Sequence, residues 1–206
     1  MILPTLDIES SLWQKGYKYI VGIDEVGRGS WAGPLVAAGV ILPLNFSIPD
    51  GLADSKLVKP NLRKKLADFI KKSSINTYIA EISSKQIDKI GVGKATHKAF
   101  RQITRKIAPT PEFCLIDAFY IKYFSRKKQM AVANGDKICA SIAAASIVAK
   151  VYRDNLMKKM HFIYPNYGFG KHKGYGTRFH QKAIKKYGLL KIHRRSYNLD
   201  FLFAQP

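Results

Sequence analysis

Tyr19-Ile-Val-Gly-Ile-Asp24-Glu25-Val-Gly27-Arg28-Gly29-Ser-Trp-Ala-Gly33-Pro34 is the stretch around which the chain is organised. The β-branched and aromatic run from Tyr19 to Ile23 is long enough for a buried strand and too short for a helix. It leads into two adjacent acids and then a Gly-Arg-Gly turn, where bare backbone can approach a ligand closely. A strand ending in paired carboxylates beside an arginine has the makings of a site. The plainer alternative is a solvated strand end before a loop. The rest of the chain decides between them.

A length of 206 residues fits one domain with an appended segment and can bury a real core. The 35 Lys and Arg against 14 acids give a formal net charge of +21. Solubility does not demand such an excess, so a polyanionic partner is expected, with nucleic acid ahead of an anionic membrane surface. No segment reaches a membrane-spanning apolar length and no signal-peptide pattern opens the chain, so a cytoplasmic protein is expected. Cys114 and Cys139 lie in apolar surroundings and read as buried free thiols. No Cys/His spacing resembles a zinc ligand set.

Outward from the opening stretch, a short helix is predicted from Asp7 to Lys15, and Pro34 to Leu42 is a nearly all-apolar strand that belongs inside a covered sheet. A loop carrying Asp54-Ser55-Lys56 precedes a helix opened by Pro60, with Leu62, Leu66, Phe69 and Ile70 on one face and Arg63 and the lysines opposite. Ile75 to Ile82 alternates like a half-buried strand. Ser84 to Ile107 reads as two helical pieces broken at Gly91 and Gly93. Phe113 to Asp117 and Gln129 to Asn134 are the fourth and fifth strands, the latter near an edge. Ser141 to Met160 is the clearest helix, with a small-residue face for tight packing. Residues 1–160 form the expected core, and 161–206 a basic, helical C-terminal segment with a helix from Thr177 to Tyr187. Strands separated by helices make an α/β protein.

Three acids stand out by position. Asp24 ends the first strand, Asp117 ends the fourth, Asp136 follows the fifth, and Glu25 sits beside the first. Strand ends of matching sense gather on one side of an α/β sheet, where ligands bind. Carboxylates brought together repel one another unless divalent cations neutralise them, and hard oxygen ligands suit Mg2+ or Mn2+. Two such ions can activate a water and steady the leaving oxygen of a phosphodiester. Metal-bearing acids within a basic surface are what a nuclease needs. One tension remains: successive strand residues face opposite sides, so Asp24 and Glu25 cannot both point inward on a regular strand.

These residues resemble the type 2 ribonucleases H, specifically the bacterial ribonuclease HII family. The resemblance covers Tyr19 to Tyr197 and is strongest in Gly22-Ile-Asp24-Glu25-Val-Gly27-Arg28-Gly29, in Ala32-Gly33-Pro34-Leu-Val-Ala-Ala38 and in Ser141-Ile-Ala-Ala-Ala-Ser-Ile-Val-Ala-Lys150-Val-Tyr-Arg-Asp154. Asp54-Ser55-Lys56, Leu115-Ile-Asp117, Gly135-Asp136, His172-Lys-Gly-Tyr175-Gly-Thr177 and His193-Arg-Arg-Ser-Tyr197 add to it. Ala53, Leu57, the Gly91-Val-Gly93 stretch and Ala118 (glycine in many members) depart from the family pattern without touching the acids.

The resemblance implies a ribonuclease H-like fold: a central five-stranded mixed sheet flanked by helices, with a helical C-terminal segment. It implies that Asp24, Glu25, Asp117 and Asp136 bind two metal ions, Mg2+ or Mn2+, and cleave RNA paired with DNA, including single ribonucleotides embedded in duplex DNA. Incision falls 5′ of the ribonucleotide and leaves 3′-hydroxyl and 5′-phosphate ends. Gly27-Arg28-Gly29 matches the reader of the ribonucleotide 2′-hydroxyl, the group that tells RNA from DNA. Tyr175 matches the aromatic packed on the following deoxyribose. Lys56, Arg194 and Arg195 are further candidates for duplex contact, with a solvated lysine and a docked C-terminal segment as the plainer alternatives. A monomer is expected, and a replication clamp is left open as a partner. Asp154 competes with Asp136 for the fourth acid, but beside Arg153 it reads better as an ion-paired or capping residue. The rivals are a ribonuclease HIII-like nuclease, which would carry a different turn in place of Gly27-Arg28-Gly29, and a basic nucleic-acid-binding protein without chemistry, which has no need of the acids.

Overall fold

The computed structural model describes residues 3–203; residues 1, 2 and 204–206, the last three within the expected C-terminal segment, lie outside the described residues. Helix α1 (Asp7–Gln14) leads into β1 (Ile20–Val26), which turns through the glycines into β2 (Leu35–Ile41). Then come α2 (Pro60–Ser73), β3 (Asn76–Ile82), α3 (Ser84–Ile90), α4 (Val92–Lys106), β4 (Phe113–Asp117), β5 (Gln129–Val132) and the four-residue α5 (Gly135–Ile138). The 24-residue α6 (Ala140–Ile163), α7 (Phe169–His172) and α8 (Arg178–Tyr187) follow. The strands form one mixed sheet in the order β3-β2-β1-β4-β5, antiparallel from β3 to β1 and parallel from β1 to β5.

Small residues set how closely the helices approach this sheet. A Cβ on Gly22 of β1 would stand 2.2 Å from the Ser141 carbonyl carbon, so α6 lies directly on one face. A Cβ on Gly39 of β2 would meet an Ile103 methyl at 2.3 Å, which brings α4 onto the other. The alternation of β2 then divides the core. Val36, Ala38 and Val40 pack with α2 and α6, whereas Leu35, Ala37 and Ile41 pack with α4. The first ten residues of α6 are all buried, which its run of alanines permits.

The glycine break falls where the spacing puts it. Gly91, at φ 78, closes α3 and opens α4. Three expectations shift. β5 ends at Val132 because Asn134 turns left-handed (φ 54) to start α5. β1 runs on to Val26 and does not stop at Asp24. On α2 the buried set is Arg63, Leu66, Ala67 and Ile70, while Leu62 and Phe69 are each 41% exposed. Arg63 turns inward because its guanidinium donates to the Val58 carbonyl at 2.7 Å and pairs with Asp154 at 3.4 Å. Cys114 and Cys139 are buried free thiols, each pushed up to about 12 by burial. No helix among the described residues is long and apolar enough to cross a membrane.

Beyond α6 a separate apolar cluster joins Tyr167, Phe169, Ile184 and Leu199 to Met157 of α6 and Ala32 of the glycine turn. Tyr167 stacks on Phe169 at 5.6 Å, and its hydroxyl lies within hydrogen-bond distance of the Tyr187 and Gly188 carbonyls. The C-terminal segment is thus packed against the turn that follows β1.

Candidate active site

The pairing of β1 with β4 stops at Ile23 and Ile116, so the two strands separate where Asp24 and Asp117 stand. A cavity of about 400 Å³ opens there, lined by Asp24, Glu25, Asp117 and Asp136 together with Lys56 and Tyr175. The divergence resolves the tension over alternation. With β4 gone from its flank, β1 can present two consecutive acids to one cleft, although Asp24 lies toward α6 and Glu25 toward the turn. Asp24 Oδ1 accepts the Glu25 backbone N–H at 2.6 Å, and Asp117 Oδ1 accepts that of Gly135 at 2.7 Å. The second bond ties the end of β4 to the start of α5 and so brings in Asp136. Ala118, beside Asp117, is held at φ 56, a left-handed conformation that costs an alanine about 1–2 kcal/mol and a glycine nothing.

The electrostatics follow from crowding. Asp24 is driven well above the usual carboxylate range by burial, then by the charges of Glu25 and Asp117, against the opposing pull of the Ser146 hydroxyl. Burial raises Glu25 to about 7 even though Arg28 lies 3.7 Å away. Asp136 is raised by burial and by Asp54 and Asp117. Burial works against the charge on Lys56, yet Asp54, Asp136, Asp24 and Asp117 hold its pKa above the ordinary lysine value. Among the described residues, no three Asp, Glu, His or Cys side chains stand close enough to enclose an ion. The donor set nonetheless suits a hard divalent cation: every acid offers oxygen, their mutual repulsion calls for positive charge, and Glu25 Oε2 is buried with no hydrogen-bond partner.

The turn after β1 is built from both sides. Gly27 (φ 85) leaves space that a Cβ would fill only 2.2 Å from Arg153 Nε. Gly29 is exposed, with open space where a side chain would be, so its backbone is accessible. Arg28 lies over the Phe119 ring at 4.6 Å. Arg153, fully buried on α6, donates to the Pro34 and Lys173 carbonyls at 2.9 Å, to Ser30 Oγ at 2.7 Å and to the Ala32 carbonyl at 3.2 Å. The Gly174 carbonyl accepts the Trp31 N–H at 2.8 Å, which sets Tyr175 beside the turn with 37% of its surface exposed.

Arg194 corrects an expectation. It is fully buried, with Nε and Nη2 on the Gly33 carbonyl at 3.1 and 3.0 Å and Nη1 on the Arg28 carbonyl at 2.7 Å. A guanidinium enclosed by carbonyls cannot reach a duplex, so Arg194 docks the C-terminal segment under the turn. Arg195, next to it, is exposed. Lys56 is also exposed, at the rim of the acids. Asp154 pairs with Lys150 at 2.7 Å and with Arg63, away from the four acids.

Sequence reasoning passed over several lining residues. Ser55 and Ser146 share a hydrogen bond of 3.0 Å at the cavity wall, and Lys150 lines it as well. Asp54 is buried, and its carboxylate, which accepts the Lys56 N–H at 2.9 Å, adds a fifth negative charge near Asp136. Their signal was present in the Asp-Ser-Lys and Ser141–Asp154 runs, but serine spacing on a helix does not say what faces it.

Comparison with known proteins gives a consistent picture. A protein-family model described as Ribonuclease HII matches residues 21–200. The ribonuclease HII of Acetivibrio thermocellus is 46% identical over 194 residues, which cover 94% of this chain and 75% of that protein. The ribonuclease H2 structure from Pyrococcus horikoshii is similar with a TM-score of 0.73 at 24% identity, over 87% of this chain and 94% of that one. The ribonuclease HII of Archaeoglobus fulgidus, solved in complex with PCNA, has the same TM-score and identity over 91% and 98%. The matched span contains the separating strands, the acids they present and the turn beside them, and this chain belongs to the ribonuclease HII family, a ribonuclease H endonuclease and hydrolase.

Proposed function

We propose that the chain hydrolyses the RNA strand of RNA–DNA hybrids and incises duplex DNA on the 5′ side of single embedded ribonucleotides. The carrying observation is the convergence of Asp24, Glu25, Asp117 and Asp136 on one cavity that Tyr175 also lines, beside the Gly27–Gly29 turn, in which Gly29 is exposed. The four acids would hold two divalent ions, Mg2+ or Mn2+. Bound there, such ions lower the pKa of a water and neutralise charge on the departing oxygen. Water adds to phosphorus and the bond to the 3′ oxygen breaks, leaving 3′-hydroxyl and 5′-phosphate ends.

The chain's own residues select and hold the substrate. Backbone groups of Gly27, Arg28 and Gly29 face the 2′-hydroxyl, where a deoxyribose offers no partner. The Tyr175 ring packs on the next sugar, where a ribose fits poorly. Exposed Lys56 and Arg195 meet the phosphate backbone, which positions the duplex without reading its sequence. Such contacts give binding a steep salt dependence. A replication clamp is the further partner we propose, and the Archaeoglobus fulgidus ribonuclease HII in complex with PCNA supports that reading.

The test is a DNA duplex with one embedded ribonucleotide, incubated with Mg2+ or Mn2+ and its ends mapped. One incision 5′ of the ribonucleotide is expected, and uncut substrate with folded protein under both metals would sink the proposal. Asp117→Asn should abolish cutting and leave duplex binding largely intact. Retained turnover in that variant means the acids are misassigned. Binding with no cutting by the wild-type chain would favour the non-catalytic reading.

A further inference from the structure

Three histidines lie behind Tyr175, away from the acids. His180 and His193 are buried and stand with their Nε2 atoms 3.0 Å apart, and His172 stacks on His180 at 4.5 Å. Phe169 and Trp31 close the group at 5.4 and 6.0 Å from the His180 ring. Burial holds His180 at about 3 and His193 at about 4, the latter with a smaller push from the Arg195 charge. Both rings are therefore neutral near pH 7, and each carries one proton.

The hydrogen bonds fix where those protons sit. His193 Nδ1 accepts the Leu190 N–H at 2.8 Å, so its proton is on Nε2. That N–H can only donate to His180 Nε2, which puts the His180 proton on Nδ1, 3.0 Å from the Tyr175 carbonyl. The same carbonyl accepts the Thr177 N–H at 2.8 Å. The order is one-way: Leu190 N–H to His193, His193 to His180, His180 to Tyr175. Reversing any member would set two donors or two lone pairs face to face. At the other end of the loop, His172 Nδ1 accepts the Gly174 N–H at 3.2 Å while its Nε2 donates to the Tyr167 carbonyl at 2.7 Å.

We infer that His193 and His180 are positioning residues for Tyr175: a proton-ordered pair that fixes the backbone carrying the sugar-packing ring and so sets the preference for an RNA–DNA junction. This rests on the reading of Tyr175 under Proposed function. The pair touches neither the phosphate nor the acids. It acts through the Tyr175 carbonyl, and the ring on the other side of that residue lines the cavity. The outcome is selectivity held by a buried donor 13 residues away in sequence from its partner.

The experiment compares wild type, His180→Phe, His180→Asn and Tyr175→Ala on a junction duplex and on an all-RNA hybrid, with melting curves to establish folding. Asparagine keeps a donor near the Nδ1 position and phenylalanine keeps only the ring. In His180→Phe the junction-to-hybrid ratio of kcat/KM should fall about tenfold, the fold-change one hydrogen bond is worth. The fall should lie in KM for the junction substrate, and His180→Asn should restore most of it. In the double variant with Tyr175→Ala, His180→Phe should have no further effect on the ratio. Equal loss in the Phe and Asn variants overturns the inference, as does an unchanged ratio in His180→Phe where Tyr175→Ala loses it. An unchanged ratio in Tyr175→Ala overturns the reading of Tyr175 itself, and the inference with it. Should His180→Phe fail to fold, nitrogen-15 spectra of the wild type carry the test: protons on His180 Nδ1 and His193 Nε2 are expected, and the opposite tautomers refute the order.

Discussion

Replacing Arg153 with methionine should unfold the link between the catalytic sheet and the C-terminal segment. The guanidinium is fully buried among the Pro34, Lys173 and Ala32 carbonyls and Ser30 Oγ, with no carboxylate of the described residues paired to it. Methionine fills much of the volume and leaves four acceptors unanswered. Each orphaned acceptor costs about 1–3 kcal/mol, softened where the carbonyl can find another donor. A net loss of about 3–5 kcal/mol is expected, in line with breaking a buried charged network. That is a large part of the roughly 5–15 kcal/mol a domain has in total. At about 2–4 °C per kcal/mol for a chain of this size, the melting temperature should fall by roughly 6–20 °C. Arg153→Lys should recover little, since an ammonium is a point charge and cannot span carbonyls on two sides. Urea denaturation gives the measurement, with exposed Arg105→Met as the control expected to change stability by less than about 0.5 kcal/mol. A loss under about 1 kcal/mol for Arg153→Met would refute the reasoning. The same variant should also lose cleavage, because the turn at residues 27–34 and the loop bearing Tyr175 share this anchor.

Two further outcomes follow from the electrostatics. Because burial and mutual repulsion raise Asp24 and Glu25, Mg2+ or Mn2+ should stabilise the fold by about 2.7 kcal/mol at a hundred times its Kd. Thermal melts read this, and a rise that persists undiminished in Asp117→Asn would place the ion elsewhere. The buried histidines make stability depend on pH in the same sense as a salt-bridged acid. His193 is neutral in the folded chain down to about 4 and protonates near 6.5 when unfolded, so between these values the unfolded state binds more protons and stability falls as pH falls. The advantage of wild type over His193→Gln should therefore shrink by about 3 kcal/mol from pH 7 to pH 4, at roughly 1.4 kcal/mol per pKa unit. The raised carboxylates titrate in both proteins and cancel in this difference, and a constant gap would count against the neutral pair.

The sheet and the acids were legible because their signals are local. Ile20 to Ile23 and Leu35 to Ile41 are apolar runs of strand length, and Asp24, Asp117 and Asp136 each follow such a run. The break at Gly91 was legible for the same reason, since only glycine sits easily at φ 78. Family resemblance then supplied the roles proposed for the acids, which spacing alone left open between a metal site and a solvated strand end.

What the chain by itself determined is its list of strands and helices, its excess of positive charge and the identity of the acids. Only the tertiary structure decided which cations face outward. Arg63, Arg153 and Arg194 look in sequence like members of a basic surface, yet carbonyls from distant loops enclose Arg153 and Arg194, and Arg63 turns in to the Val58 carbonyl and the Asp154 carboxylate. A charge belongs inside only when acceptors gather around it, and those acceptors come from residues up to 166 positions away. The convergence of Asp24 and Glu25 has the same origin. Alternation along β1 sends the two side chains apart, and the parting of β1 from β4 after Ile23, a property of the sheet and of neither strand alone, opens one cleft to both.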